Sequence, residues 1–476
     1  MERFTAARVQ ADARAYIYRG ADLRRAVEKH LYFDLVNREP VRDAFMAARS
    51  GAQYELPTEP LHREILEDML AAADRSPEET VPDINPEPMR RRLRMLRRKW
   101  LGLRAMLNLG RKRRVLAYAA NERFMEFLRP VLDDLPADCR GEYLICGNAD
   151  VREVLQGKEL PFVDFSGLEG RVASYEYAVR HGLLEKQSGS SLESFRSLTK
   201  LFDHLLEALG GMRADSMTLL LAEGNAPGDE VIARAAEQLG IRTVCLQNGW
   251  SPVFHNGFRG NSYSRMLTWG PGFDDWFRAF NPEQDYFAVG NSMAAASGEG
   301  KAKCVAFFLQ PLSPLIAPEH LEQFVGLIEA TAREHGDADI LVRDHPTRGL
   351  PADLKAVLDA HSNVKFMSAP DFEIAELMRR AACGVTMYSS TIIECIQADV
   401  VPLVFNPTSL PKYFPSPGEA GIETGNSDEA LRAIGRVLGD DDYARSKRAA
   451  MERFRRDNLT PPDDGVKFRI RNALLY

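Results

Sequence analysis

The stretch CGVTMYSSTIIECIQADVVPLVFN, Cys383 to Asn406, sets the polar run Ser389-Ser390-Thr391 between two apolar, β-rich segments, with Glu394 one turn further on. Hydroxyls and exposed amides at a helix start suit a phosphate, and Glu394 could accept hydrogen bonds from a ribose. The same letters also spell a capping box, Thr391 to Glu394, that would merely satisfy its own helix. In ILVRDHPTR, Ile340 to Arg348, His345 can donate to a phosphate or leaving-group oxygen. Arg343 or Arg348 adds charge there and Pro346 stiffens the turn. The bland alternative is a surface turn that ends a strand. A third polar exit, Phe307 to Ser313, offers Gln310 and Ser313 to a nucleotide.

A different chemistry is available upstream. VCLQNGWSPVFHNG, Val244 to Gly257, follows an apolar run with Gln247, Asn248, Gly249 and Trp250. Gly249 permits a sharp turn and Trp250 could stack on a sugar or base, although a core position suits Trp250 as well. Chemistry at a hydroxyl needs a carboxylate or imidazole nearby to take its proton. Glu223, in Ala222-Glu223-Gly224-Asn225, is the first choice and His255 the second. Asp229, close behind, reads equally as a helix cap. The strand exit Ala120-Asn121-Glu122 is a further source of an acid or base.

All these residues stand just after short apolar runs, where ligands bind in open α/β sheets. Between Val115 and Asn291, β-rich runs near Val115–Ala119, Tyr143–Cys146, Phe162–Phe165, Met217–Ala222, Arg242–Gln247, Met266–Trp269 and Phe287–Asn291 alternate with helical stretches. That alternation predicts a parallel sheet with crossover helices. A polar linker, Met293 to Lys303, leads to a second series at Cys304–Leu309, Ile340–Arg343, Val364–Met367, Gly384–Met387 and Val401–Phe405. Asp428 to Arg456 reads as two closing helices, and the tail after them could reach back to the first domain. The expected architecture is α/β, with two Rossmann-like domains facing a cleft and a helical N-terminal extension. Its parts are residues 1–114 (helical extension), 115–292 (first Rossmann-like domain), 303–440 (second Rossmann-like domain) and 441–476 (closing helix and tail).

The extension ends in a cationic amphipathic segment. Residues 89–114 carry twelve basic and no acidic side chains, with Met89, Leu93, Leu96, Trp100, Leu103 and Leu107 on one stripe. Such a helix can lie on anionic lipid or grip an anionic glycan; equally, its stripe can pack on the core and leave the arginines solvated.

The chain has 476 residues and a formal net charge of −7, against a general nucleic-acid binder, which needs a dominant positive field. Its six cysteines are at least seven residues apart, which fits reduced thiols and neither a disulfide framework nor a zinc knuckle. No apolar run approaches the roughly 20 residues of a membrane span, and the N-terminus lacks a signal-peptide core. The expected location is cytoplasmic, peripheral to the inner membrane if the basic helix binds it.

The ordered set of motifs resembles the GT-B glycosyltransferases, particularly bacterial capsule and surface-polysaccharide enzymes. A QHG-like turn corresponds to Gln247-Asn248-Gly249, with Asn in place of His. A Trp-Gly pair before a helix corresponds to Trp269-Gly270, a VGN strand to Val289-Gly290-Asn291, a His-Pro motif to His345-Pro346, and an SST-x-x-E helix start to Ser389 to Glu394. The resemblance implies a metal-independent enzyme without a cofactor, whose His-Pro and Ser-Ser-Thr elements hold the donor's nucleotide and phosphate. A nucleotide-sugar, CMP-linked as one option, would then be the donor, and a surface polysaccharide or lipid-linked glycan the acceptor. Three alternatives share the fold: a nucleotide-sugar epimerase, a CDP-polyol phosphate transferase and a non-catalytic nucleotide- or glycan-binding module.

Overall fold

The computed structural model describes residues 16–27, 29–30, 39–50, 53–58, 63, 66–67, 70, 114–119, 121–139, 143–145, 149–158, 162–164, 189–210, 217–224, 226–249, 261, 263–291, 303–312, 316–345, 349–367, 374–387, 389–407, 420–463 and 465–476. The basic segment 89–113 lies outside them, so neither reading of that helix meets the structure. The N-terminal part begins with a hairpin, β1 (Ile17–Tyr18) and β2 (Ala21–Asp22), turned by Arg19 and Gly20 at φ +48° and +83°. Positive φ at both central residues is the geometry of a two-residue hairpin turn. The expectation of helices and polar connections before Arg114 did not include this hairpin, because two-residue strands have no alternation to read. Helix α1 (Glu39–Ser50) follows.

The hairpin packs into the first domain. Tyr18 stacks edge-on against Phe202 and donates to Asp203 at 2.6 Å, while Arg19 pairs with the same carboxylate. Phe202 and Asp203 belong to α4 (Gly189–Gly210), which follows α2 (Glu122–Asp133) and α3 (Ala149–Gly157).

The first sheet has seven parallel strands: β3 (Arg114–Tyr118), β4 (Tyr143–Ile145), β5 (Phe162–Asp164), β6 (Met217–Ala222), β7 (Arg242–Leu246), β8 (Arg265–Thr268) and β9 (Tyr286–Ala288), in the order β5-β4-β3-β6-β7-β8-β9. β6 and β7 are buried along their whole length, as strands covered by helices on both faces must be. Their largely apolar sequences follow from that, and the buried polar groups Thr218 and Arg242 find partners in the C-terminal helix. Helices α5 (Pro227–Leu239) and α6 (Pro271–Phe280) connect the later strands.

The second sheet has six: β10 (Cys304–Phe308), β11 (Asp339–Arg343), β12 (Val364–Met367), β13 (Cys383–Thr386), β14 (Val401–Phe405) and β15 (Ile422–Thr424), in the order β12-β11-β10-β13-β14-β15. All are parallel. Its helices are α7 (Pro318–Glu334), α8 (Ala352–Asp359), α9 (Ile374–Arg380), α10 (Thr391–Gln397) and α11 (Ser427–Gly439). β15 escaped the sequence reading because its three half-buried residues, Ile-Glu-Thr, carry no apolar run.

Two further helices return the chain to the first domain. α12 (Asp441–Asn458) lies against α6, and the Thr460 amide donates to the Trp269 carbonyl at 2.9 Å. α13 (Gly465–Leu475) then docks on the first sheet, where Thr218 and Arg242 donate to the carbonyls of Leu474 and Ala473 at 3.0 and 2.7 Å. Val466, Ile470, Ala473 and Leu474 share a buried cluster with Val115, Leu220 and Leu246. Among the described residues no helix is long and apolar enough to cross a membrane.

Candidate functional site

Each sheet has a point where successive connections run in opposite directions. In the first it lies between β3 and β6, in the second between β10 and β13. A crevice opens beyond the carboxyl ends of strands at such points.

In the second domain the register sets Phe308 beside both Arg343 and Thr386, so β11, β10 and β13 end at one level. Gln310, His345 and Ser389 therefore leave the sheet from adjacent strands. Leu309 is held by the Arg343 carbonyl at 3.0 Å, and Thr386 Oγ1 donates to Gln310 Oε1 at 3.4 Å. Helix α10 begins at Thr391 with Ser390 as its cap, and Ser390 makes no side-chain cap bond. The Thr391 amide instead donates to Ser389 Oγ at 3.2 Å, and the Ser389 and Thr391 hydroxyls are 2.9 Å apart. The Thr391–Glu394 capping box is thus a misreading: Thr391 is already the first helical residue, one position too far along to be capped by Glu394.

Glu394 is half-buried, and burial lifts its carboxyl to about 7 even though Arg343 and, from the other domain, Arg123 pull it down. Burial lowers the Arg343 guanidinium against the opposing pull of Glu394. His345 is held below the usual imidazole range by burial first, then by Arg123 and Arg343. A neutral imidazole keeps one N–H to donate. The site therefore combines two guanidinium groups, Arg343 on this wall and Arg123 from the other domain, with one neutral imidazole and one half-buried acid poised near neutrality.

Arg123 sits in the first turn of α2, capped by Asn121, whose Oδ1 accepts the Phe124 amide at 2.9 Å. It projects from the exit of β3, on one side of the first sheet's switch point. The sequence reading stopped at Glu122; the residue beside it, exposed and unremarkable in sequence, carries the charge that both Glu394 and His345 feel.

On the other side of that point stands Glu223. Its φ is +64°, and the Gly224 amide donates to the Ala222 carbonyl at 2.7 Å, closing a three-residue γ-turn around it. With positive φ this is the rare, strained form of the turn, and strain of this kind concentrates at functional sites. Neighbours hold it in place. The Glu223 amide donates to Leu246 at 2.8 Å and Tyr263 donates its hydroxyl to the Gly224 carbonyl at 2.7 Å. A Cβ on Gly224, itself at φ +72°, would lie 2.6 Å from Cys245 Sγ and 2.7 Å from the Tyr263 oxygen, so only glycine fits. The Glu223 carboxylate comes close to Gly249, where a Cβ would lie 3.6 Å from Oε1.

The facing turn is built by Gln247, which is buried. Its Oε1 accepts the Trp269 amide at 3.0 Å, its Nε2 donates to Gly249 at 3.1 Å, and its carbonyl accepts the Trp269 indole at 3.1 Å. Gln247 shapes the turn with both ends of its amide engaged internally. Asn248, half-buried, carries a buried Nδ2 that has no hydrogen-bond partner among the described residues. Asp229 accepts the amide of Ala226, the residue that caps α5, at 3.0 Å, with Pro227 opening the helix, so Asp229 does serve the helix start. Trp250, His255, Ser313, Pro346 and Arg348 lie outside the described residues, and their proposed roles stay with the sequence reading.

No family model matches the chain, and no curated protein matches it. Solved structures do. UDP-GlcNAc 2-epimerase from Neisseria meningitidis, bound to UDP-GlcNAc, superposes with a TM-score of 0.52 at 11% identity, over 76% of this chain and 99% of that one. Acinetobacter baumannii MurG gives 0.46 at 11% over 76% and 99%. Anabaena Alr3699/HepE, in complex with UDP and glucose, gives 0.43 at 12% over 76% and 98%. At such identities the likeness is one of fold: two Rossmann-like domains of the GT-B type, each built on a parallel sheet.

Proposed function

We propose that this protein is a glycosyltransferase that takes a sugar from a nucleotide-sugar and delivers it to a surface polysaccharide or lipid-linked glycan. The observation that supports this most is Glu223, a carboxylate held in a strained turn at the switch point of one sheet. The cationic strand ends of the other sheet make up the second half of the reading.

In this reading the second domain holds the donor. Gln310, Ser389, Ser390 and Thr391 hydrogen-bond the nucleotide, Glu394 takes the ribose, and Arg343 with neutral His345 meets the phosphate. Arg123 adds positive charge from across the cleft. These groups stabilise the negative charge that develops as the sugar–phosphate bond breaks, so transfer needs no divalent ion. Glu223 takes the proton of the acceptor hydroxyl as the new glycosidic bond forms. The Gln247-Asn248-Gly249 turn and Trp250 receive the acceptor, and residues 89–114 hold the enzyme near an anionic lipid or glycan.

The test has two stages. First, thermal shift with CMP, CDP, UDP, GDP and ADP names the donor class, since a ligand of the native state raises its stability with the logarithm of concentration over Kd. CMP would point to sialic acid or Kdo donors and UDP to ordinary hexoses. Second, the matching nucleotide-sugar is incubated with and without acceptor glycans. Transfer that is lost in Glu223→Gln, with nucleotide binding retained, is the expected result. A new epimer formed without acceptor would replace the transferase reading with the epimerase one, and no shift with any nucleotide at millimolar concentration would leave a glycan-binding module.

A further inference from the structure

Lys29 comes from the N-terminal segment, nearly 200 residues before Glu223 in sequence, yet it is 1% exposed. An ammonium so deeply buried must be paired. Its Nζ donates to Asn261 Oδ1 at 3.0 Å and lies 3.5 Å from Glu230 Oε2 in α5. Glu230, fully buried, also takes both Nε and Nη2 of Arg234 at 2.9 and 2.6 Å, and Arg234 reaches Glu237 at 2.9 Å.

This network adjoins the Glu223 turn on two sides. Asp229, the neighbour of Glu230, caps Ala226, three residues after Glu223. Asn261 is two residues from Tyr263, whose hydroxyl holds the Gly224 carbonyl. Segment, helix start and strained turn are therefore linked through hydrogen bonds at both ends.

We propose that the N-terminal segment is part of the active site, with Lys29 as a positioning residue. Held by Glu230 and Asn261, it locks the start of α5 next to the turn and supplies the positive charge against which Asp229, the neighbour of Glu223, sits. The groups facing Lys29 are Asp229 and Glu230 on α5, Cys245 on β7, Asn261 before β8 and Arg25 on its own segment; Glu223 in turn acts on Asp229 and Cys245. Electrostatics agree with the geometry: burial raises Asp229 to about 7, Lys29 opposes that rise, and Glu223 and Glu230 add to it. Lys29 itself is lowered by burial, while Glu230 and Asp229 pull it back up.

This inference deepens the transferase reading but is measurable without it. Carboxyl carbon NMR follows the titration of Asp229, assigned with Asp229→Asn, in the full chain and in Lys29→Met. Loss of the cation should raise the Asp229 midpoint, and in a transfer assay it should move the acidic limb of the pH profile to higher pH and lower kcat with little change in donor KM. Lys29→Gln leaves Glu230 to pair with Arg234 and keeps a polar amide beside Asn261 and Glu230, so it serves as a second variant in which the positive charge alone is missing. An unchanged Asp229 midpoint in the folded variants overturns the proposal. So does an unshifted pH profile accompanied only by a lower melting temperature, which would make Lys29 a structural residue. Inactivity of the wild-type chain toward every nucleotide-sugar would count against the transferase reading and leave the Asp229 measurement to decide this one.

Discussion

Asn291 Nδ2 donates to Gln397 Oε1 at 3.1 Å, tying the exit of β9 in the first domain to the last residue of α10 in the second. Both side chains are buried. The bond sits where the chain leaves the first domain, next to Gly290 at φ +101°, whose missing Cβ leaves room for Val466 of α13. Nearby, Arg469 donates to the Val289 carbonyl at 2.8 Å and Arg455 to that of Ile396 at 2.9 Å. The outgoing and returning crossings are thus laced together.

Replacing Gln397 with Leu removes a buried partner of Asn291 and should destabilise the protein by about 1–3 kcal/mol. The double variant Asn291→Leu/Gln397→Leu should cost less than the two single changes combined, since contacting residues couple. Urea unfolding of the four proteins measures this coupling, and strictly additive losses would show that the bond contributes nothing.

Glu223 stores strain that a glycine would not. Glu223→Gly should raise stability by about 1 kcal/mol, because glycine adopts positive φ at little cost. The same variant should lose transfer altogether. A melting temperature that falls instead would mean that contacts of the Glu223 side chain outweigh its backbone strain.

Glu394 titrates near 7, well above its value in an unfolded chain, because burial disfavours its charged form. The folded state therefore binds the extra proton between roughly pH 4.5 and 7. This contribution is greatest below the unfolded value and fades as pH rises through 7. Glu394→Gln should accordingly be neutral near pH 4 and stabilising at pH 8, and melting curves across that range report the difference. A stability gap that does not widen with pH would rule out the raised value.

The donor wall can be tested by binding alone. His345→Ala and the Ser389→Ala/Ser390→Ala double variant should each lose the nucleotide thermal shift while keeping the fold, and Arg343→Ala should weaken phosphate-bearing ligands more than the nucleoside. Wild-type affinity in both of the first two would remove the donor assignment. Transfer should also persist after treatment with a chelator; activity that returns only on adding a divalent ion would contradict the metal-independent reading.

The return of the C-terminus depends on two glycines. A Cβ on Gly270 would overlap the Asn458 carbonyl and Leu459 backbone, and one on Gly272 would overlap the Asn458 side chain. Gly270→Ala meets rigid backbone and should cost about 2 kcal/mol or more, whereas Gly272→Ala meets a side chain that can move and should cost less. Equal melting temperatures for the two would show that α12 shifts freely over α6.

Much of this architecture was legible in the sequence because its cause is local. A strand buried on both faces is dominated by apolar residues, so Met217–Ala222, Arg242–Leu246, Cys304–Phe308 and Val401–Phe405 announce themselves, and the polar residues at their ends follow by position. Glu223, His345 and Ser389 could be picked out on that ground alone. What the tertiary structure decided depends on register and burial across long stretches of chain. Only the packed molecule brings the charge of Arg123 to bear on His345 and Glu394, turns Gln247 inward to Trp269, and seats Lys29 on Glu230 and Asn261. No local pattern encodes those meetings. A lysine at position 29 reads as solvated until the hairpin before it docks on α4 and α5 and closes water out, and it is that exclusion of water which gives its charge, and those of Asp229 and Glu394, their weight.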